Sequence, residues 1–209
     1  MKTHRRSVLA MISLGAMAVL SWPLFAVANK REETTVRWDI VKFTSFTPPT
    51  FQAGGQASAL ANDGSGIALT GSGRFEVGED DEVKGGGGWV TFSPSGQETG
   101  RGTYRVTRLI RFELAPGTIV GTPVVDNIGD KAAAVSGLAT LAIRYSDGSS
   151  GVLFISCDLP VGTPPAIFEG ITASKGFVEY WNRVAPVANV DGNRTAIHII
   201  PEREDHHRH

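Results

Sequence analysis

The sequence has little of what most catalytic sites are built from. Its single cysteine, Cys157, excludes any disulfide within the chain. That cysteine ends the apolar run Leu153 to Cys157 and reads as a small buried hydrophobe, not as a nucleophile. Apart from His4 and the tail residues His206, His207 and His209, histidine occurs once, at His198. A zinc centre built on histidine or cysteine lacks ligands, and a Ser-His-Asp triad would have to use His198 without a Gly-x-Ser-x-Gly elbow. Neither a metal nor a cofactor is expected. His198, in Ala196 to Ile200, reads as a hydrogen-bonded sheet residue. The charged tail, residues 202–209, reads as a solvated end able to capture a transition metal only weakly.

Long apolar runs are also missing. Val8 to Leu20 is an apolar stretch of 13 residues, short of the ~20 that a spanning helix needs. It follows Lys2, Arg5 and Arg6 and precedes Ala26-Val27-Ala28, a small-x-small cleavage pattern. Residues 1–28 therefore read as an export signal, and the Arg5-Arg6 pair followed by Ser7-Val8-Leu9 fits either a twin-arginine or an ordinary secretory leader. The expected destination is periplasmic or extracellular, with no stable membrane anchor. Removing the leader leaves 17 basic against 21 acidic residues, a net charge of −4. A mildly acidic surface repels phosphate backbones, so nucleic acid is a poor partner.

No helical period of useful length appears in residues 29–201. Glycine, in contrast, is plentiful, 25 residues of 209, well above the usual ~7%. Short apolar alternations recur between turn residues: Thr35 to Phe43, Gln56 to Ala61, Ile67 to Val77, Gly88 to Ser93, Gly100 to Leu114, Gly137 to Tyr145, Gly151 to Leu159, Phe168 to Ala173, Phe177 to Trp181 and Thr195 to Ile200. Asn62-Asp63-Gly64, Pro94-Ser95-Gly96 and Ser146-Asp147-Gly148 supply the turns. The expected fold is all-β, one antiparallel β-barrel of about 8–10 strands, with a β-sandwich as the alternative. Gly85 to Gly88 precede Trp89-Val90 in a β context and read as a flexible hairpin or bulge, not as a phosphate loop. Glu79 to Glu82 lacks the spacing of a calcium loop and reads as a solvated turn. Ala115 to Ala134, with Pro116, Pro123 and three glycines, is long for a connection and reads as a crossover or a ligand-covering lid.

Strict alternation over Thr103 to Leu114 places Tyr104, Val106, Arg108, Ile110, Phe112 and Leu114 on one face, apolar except for Arg108. A guanidinium on a buried face needs a partner. It would pair with a residue such as Asp39 or Glu113, stand in solvent at the end of the barrel, or anchor the acidic head of a small apolar ligand. Trp38, Trp89, Tyr104 and Phe154 would line such a cavity or fill the core. Glu169 and Glu179, in the two final hairpin strands, would serve acid-base hydrolysis if the fold brought them a few ångströms apart across a cleft.

Asp63-Gly64-Ser65-Gly66, Gly85-Gly86-Gly87-Gly88-Trp89, Gly102 to Thr107 and Phe168 to Thr172 resemble stretches of secreted bacterial proteins of unknown function. Gly71-Ser72-Gly73-Arg74-Phe75 is similar to the barrels of allene oxide cyclase and dirigent proteins. That resemblance implies an apolar substrate held inside a β-barrel, and no catalytic residue carries over. Three readings follow: a binder of a small apolar or amphipathic molecule, a cyclase- or isomerase-like enzyme using the same cavity, and a cell-envelope structural or interaction protein.

Overall fold

A computed structural model describes residues 34–78 and 82–200. The proposed leader, the tail and residues 79–81 of the acidic turn lie outside the described residues. Among the described residues every regular element is a β-strand. They are β1 (Thr34–Phe46), β2 (Pro49–Ala53), β3 (Ala57–Leu60), β4 (Gly66–Leu69), β5 (Ser72–Val77), β6 (Val83–Phe92), β7 (Glu98–Ala115), β8 (Val125–Asp126), β9 (Ala134–Tyr145), β10 (Ser150–Cys157), β11 (Gly170–Lys175), β12 (Val178–Tyr180), β13 (Asn182–Arg183) and β14 (Arg194–Ile200).

The expected antiparallel barrel is present, and its closed ring has six strands. β1 pairs β5, β5 pairs β6, β6 pairs β7, β7 pairs β9, β9 pairs β14, and β14 returns to β1. The other strands lie outside the ring. β4 and β3 extend from the far half of β6, while β10, β11 and β12 extend from the far half of β9. Closure removes most of the free strand edges that a sheet of this size would otherwise expose.

Side chains fill the lumen. Along β1 the inward positions are Val36, Trp38 and Ile40, all fully buried. Phe75 from β5, Leu109 from β7, Leu141 and Ile143 from β9 and Ile197 from β14 complete the packing. Phe75 reaches Phe112 across the intervening strand, with ring centroids 5.3 Å apart. Each buried side chain of this size contributes roughly 1.5–3 kcal/mol.

The glycine run is not a hairpin. Gly85 to Gly88 lie in the middle of β6, paired on both sides. Trp38 accounts for the first of them: its indole lies against the backbone of Gly73 and Gly85, which are paired across β5 and β6, while a Cβ on Gly86 or Gly87 would meet the carbonyl oxygen of Tyr104 or Thr70. A Cβ on Gly73 would stand 2.8 Å from Trp38 Nε1 and 2.4 Å from the Lys84 carbonyl oxygen.

Arg108 is a correction. β7 carries two irregularities against β9, so that Thr107 and Ile110 lack a register partner. Each extra residue turns the following side chains over. Tyr104 and Val106 point inward as expected, but the next buried residue is Leu109, and Arg108 is exposed. Ile110 and Leu114, also expected inside, are exposed. Asp39 pairs with Arg37, and Glu113 with Arg111, so neither serves Arg108.

Replacing Gly73 with alanine should overpack the Trp38 contact and cost about 2 kcal/mol. Thermal unfolding should show a melting temperature lower by several degrees. An unchanged melting temperature would mean that the indole is not held by these two glycines.

Candidate functional site

The long connection between β7 and β9 is not a free loop. It runs as a strap over the outer face of β1 and β14. Thr118 bridges to Val161, and β8, two residues long, pairs parallel with β2. The Asn127 amide donates to the Phe51 carbonyl at 3.0 Å.

The strap is clamped by a buried polar pair. Register places Arg37 of β1 beside His198 of β14, both on the outer face. His198 is 3% exposed, and its Nε2 lies 2.7 Å from Asp126 Oδ2 of the strap. A carboxylate only accepts, so Nε2 carries the proton. Nδ1 is buried without a partner. Asp126 also accepts the amides of Ile128 and Gly129, at 2.8 and 3.2 Å. Burial raises its carboxyl, but the His198 bond and those amides outweigh burial and hold it below the usual aspartate range. Beside it, Arg37 grips fully buried Asp39 with two bonds of 2.7 and 3.0 Å. Burial raises Asp39 above the usual range despite that grip.

Next to this clamp, strap and sheet leave a cavity of about 220 Å³. Its sheet side is made by Val41 and Phe43 of β1, Phe51 of β2, Ala134 of β9 and Ala196 of β14. Ile119 and Val124 of the strap and Leu159 and Pro160 of the β10–β11 connection complete the apolar lining. The volume somewhat exceeds the ~150 Å³ of an apolar cavity that accepts benzene. It suits one ring, or a short chain, with a small polar substituent.

Polar groups stand at the cavity's wall. Glu169 is half-buried as a residue, but its carboxyl is enclosed. Oε2 accepts the Asp158 amide at 2.7 Å, and Oε1 accepts the Thr195 amide. The Thr195 hydroxyl is shared between the Ser156 carbonyl at 2.7 Å and Oε1 at 3.3 Å. Burial dominates over these donors and pushes the carboxyl up to about 8. Arg194, also lining the cavity, gives Nη1 to the carbonyls of Val190 and Gly192 and Nη2 to that of Val187. Its guanidinium lies 4.9 Å from the Phe43 ring centre. Among the described residues it forms no ion pair with a carboxylate.

The residues singled out from sequence are placed elsewhere. Trp38 is fully buried in the lumen, and Tyr104 donates its hydroxyl to the Thr70 carbonyl at 2.9 Å. Trp89 is 5% exposed and packs edge-on against Tyr145. These three belong to the core, and Arg108 to the surface. Glu179 stands exposed on β12, while Glu169 is bound to Asp158 and Thr195. Cys157 is fully buried, and burial raises its thiol well above the ordinary range. Among the described residues no cluster of three or more histidine, cysteine or acidic side chains could hold a metal. Sequence reasoning missed Glu169 as a cavity group because it sits in a connection, where alternation gives no direction.

Compared with known proteins, the chain matches no family model, no curated protein and no solved structure.

The buried carboxyl gives stability a definite pH dependence. Between the ordinary glutamate value of 4.5 and about 8, Glu169 is ionised in the unfolded chain and protonated in the folded one. Its contribution is complete below that window and is lost as pH rises through it. Urea unfolding at about pH 5 and about pH 8.5 should show a larger loss for the parent than for Glu169→Gln, which cannot ionise. Equal losses would contradict the buried acid.

Proposed function

We propose that the chain is an exported protein that binds a small apolar or amphipathic molecule, and that it does so in the cavity under the strap. The carrying observation is a partly open, mainly apolar cavity with a neutral-leaning carboxyl at its wall, beside a lumen that side chains already fill. Pockets of this composition, apolar with a few placed polar groups, are what small-molecule sites are usually made of. The export part rests on the leader pattern of residues 1–28.

The chemistry of the wall narrows the ligand. Arg194 commits three of its five N–H donors to backbone carbonyls, and burial favours the protonated form of Glu169. A protonated Glu169 donates one hydrogen bond, so the best fit is a neutral molecule with a carbonyl or hydroxyl oxygen. The same carboxyl favours a second reading, a cyclase- or isomerase-like reaction in which Glu169 is the proton donor to a substrate held in shape.

Benzyl alcohol, one ring with one hydroxyl, is a suitable probe. Titration followed by amide NMR should shift Ile119, Val124, Ala134 and Thr195, and Ala134→Leu should abolish those shifts by filling the space. Binding that survives Ala134→Leu, or shifts confined to the lumen strands, would overturn the reading.

A further inference from the structure

A second surface gathers chemistry that the strap cavity does not use. Four hairpin turns meet at the end of the barrel where β6, β7, β9 and β10 have their tips. They are the turns joining β3 to β4, β6 to β7, β9 to β10 and β11 to β12. Together they enclose an open groove of about 500 Å³, to which each turn contributes a residue: Ser65, Ser93, Ser149 and Phe177. Loops carried on a rigid barrel end are a common place for recognition.

The polar lining consists mostly of hydroxyls, and the protons of Ser65, Ser149 and Thr99 are already committed. Ser65 and Ser149 donate to Asp63 and Asp147, each at 2.7 Å. Thr99 donates to Thr91 Oγ1 at 2.9 Å. What these oxygens offer to the groove is therefore lone pairs, which suit a ligand rich in donors. The one cation in the groove is neutralised. Lys175 donates to Asp147, and its ammonium lies 4.3 Å from the Trp89 ring centre and 5.1 Å from that of Tyr145.

The aromatic part is arranged differently. Phe92 and Tyr180 line the groove as partly buried and buried walls. Phe177 is 98% exposed at the tip of its turn, after Gly176. A phenyl ring fully in water contributes nothing to the fold and keeps both faces free. The slightly positive C–H edge of a sugar ring stacks on such a face through the ring's quadrupole.

We infer that this turn-lined groove binds a neutral oligosaccharide, with Phe177 as the stacking platform and the serine and threonine oxygens accepting from sugar hydroxyls. A peptide fits less well, because the groove is built mostly from turn tips, and the free edge of β12 offers only Val178–Tyr180 to extend. The inference is independent of the strap cavity, which lies against other elements.

The test uses the full chain and three neutral probes, cellotetraose, maltotetraose and chitotetraose, each at about 10 mM, where a millimolar site is occupied. At least one should shift the amides of Ser65, Ser93, Ser149 and Phe177. Phe177→Ala, which removes no buried contact, should weaken that binding about tenfold, and Phe177→Tyr should preserve it. The inference is overturned if none of the three produces shifts at the turns, or if Phe177→Ala binds like the parent. It is equally overturned if the turns shift only with protein concentration and Phe177→Ala abolishes that, since Phe177 would then join copies of the chain.

Discussion

The contact of the Trp38 indole with Gly73 and Gly85 decides what the rest of the molecule can do. Two adjacent strands, β5 and β6, give up bulk at one level so that a single large side chain from β1 can occupy the lumen. Trp38 Nε1 is buried without a partner, which costs on the order of 1–3 kcal/mol. The indole is therefore held by shape and dispersion, not by a hydrogen bond. With Phe75, Leu141 and Ile143 around it, the six-stranded ring is a packed core, as small closed barrels often are. Space for another molecule has to lie outside the ring.

The strap supplies that space. An outer sheet face carrying Val41 and Ala196 beside Asp39 and His198 is half apolar and half charged, and water alone would cover it poorly. The strap meets both halves, Ile119 and Val124 opposite the apolar part and Asp126 opposite His198. A buried charged group that loses its partner destabilises far more than the intact pair stabilises, so the clamp fixes position more than it adds energy. Covering an uneven surface with a segment anchored at a few polar points leaves a gap between anchors. Glu169 borders that gap because it ties the end of β10 to the start of β14 through the amides of Asp158 and Thr195.

Much of the fold was legible in the sequence, and little of the site. Alternation together with Asp63-Gly64, Ser95-Gly96 and Asp147-Gly148 located the main strands and hairpins, because turn chemistry and a period of two are local properties. Arg108 shows where local reading stops. The residue inserted at Thr107 reverses the facing of β7 and the one at Ile110 restores it, so Phe112 again packs inward; nothing in Thr107 or Ile110 announces a bulge, since the cause is register against β9. The long proline- and glycine-bearing connection was recognisable as unusual, and His198 as a bonded sheet residue. That Asp126 would be its partner, 72 residues away along the chain, depends on closure of the ring. Strand β2 went unrecognised because two prolines stand at its start, and the glycines of β6 look like a turn until Trp38 is seen to need Gly85 and the Tyr104 and Thr70 carbonyls to need Gly86 and Gly87.

A crystal under xenon pressure tests the central claim most directly, because xenon enters dry apolar voids and little else. The account predicts a xenon site between the strap and β14, in contact with Ile119, Val124 and Ala134, and none beside Trp38. Xenon beside Trp38 within the ring, or no xenon beneath the strap, would contradict it.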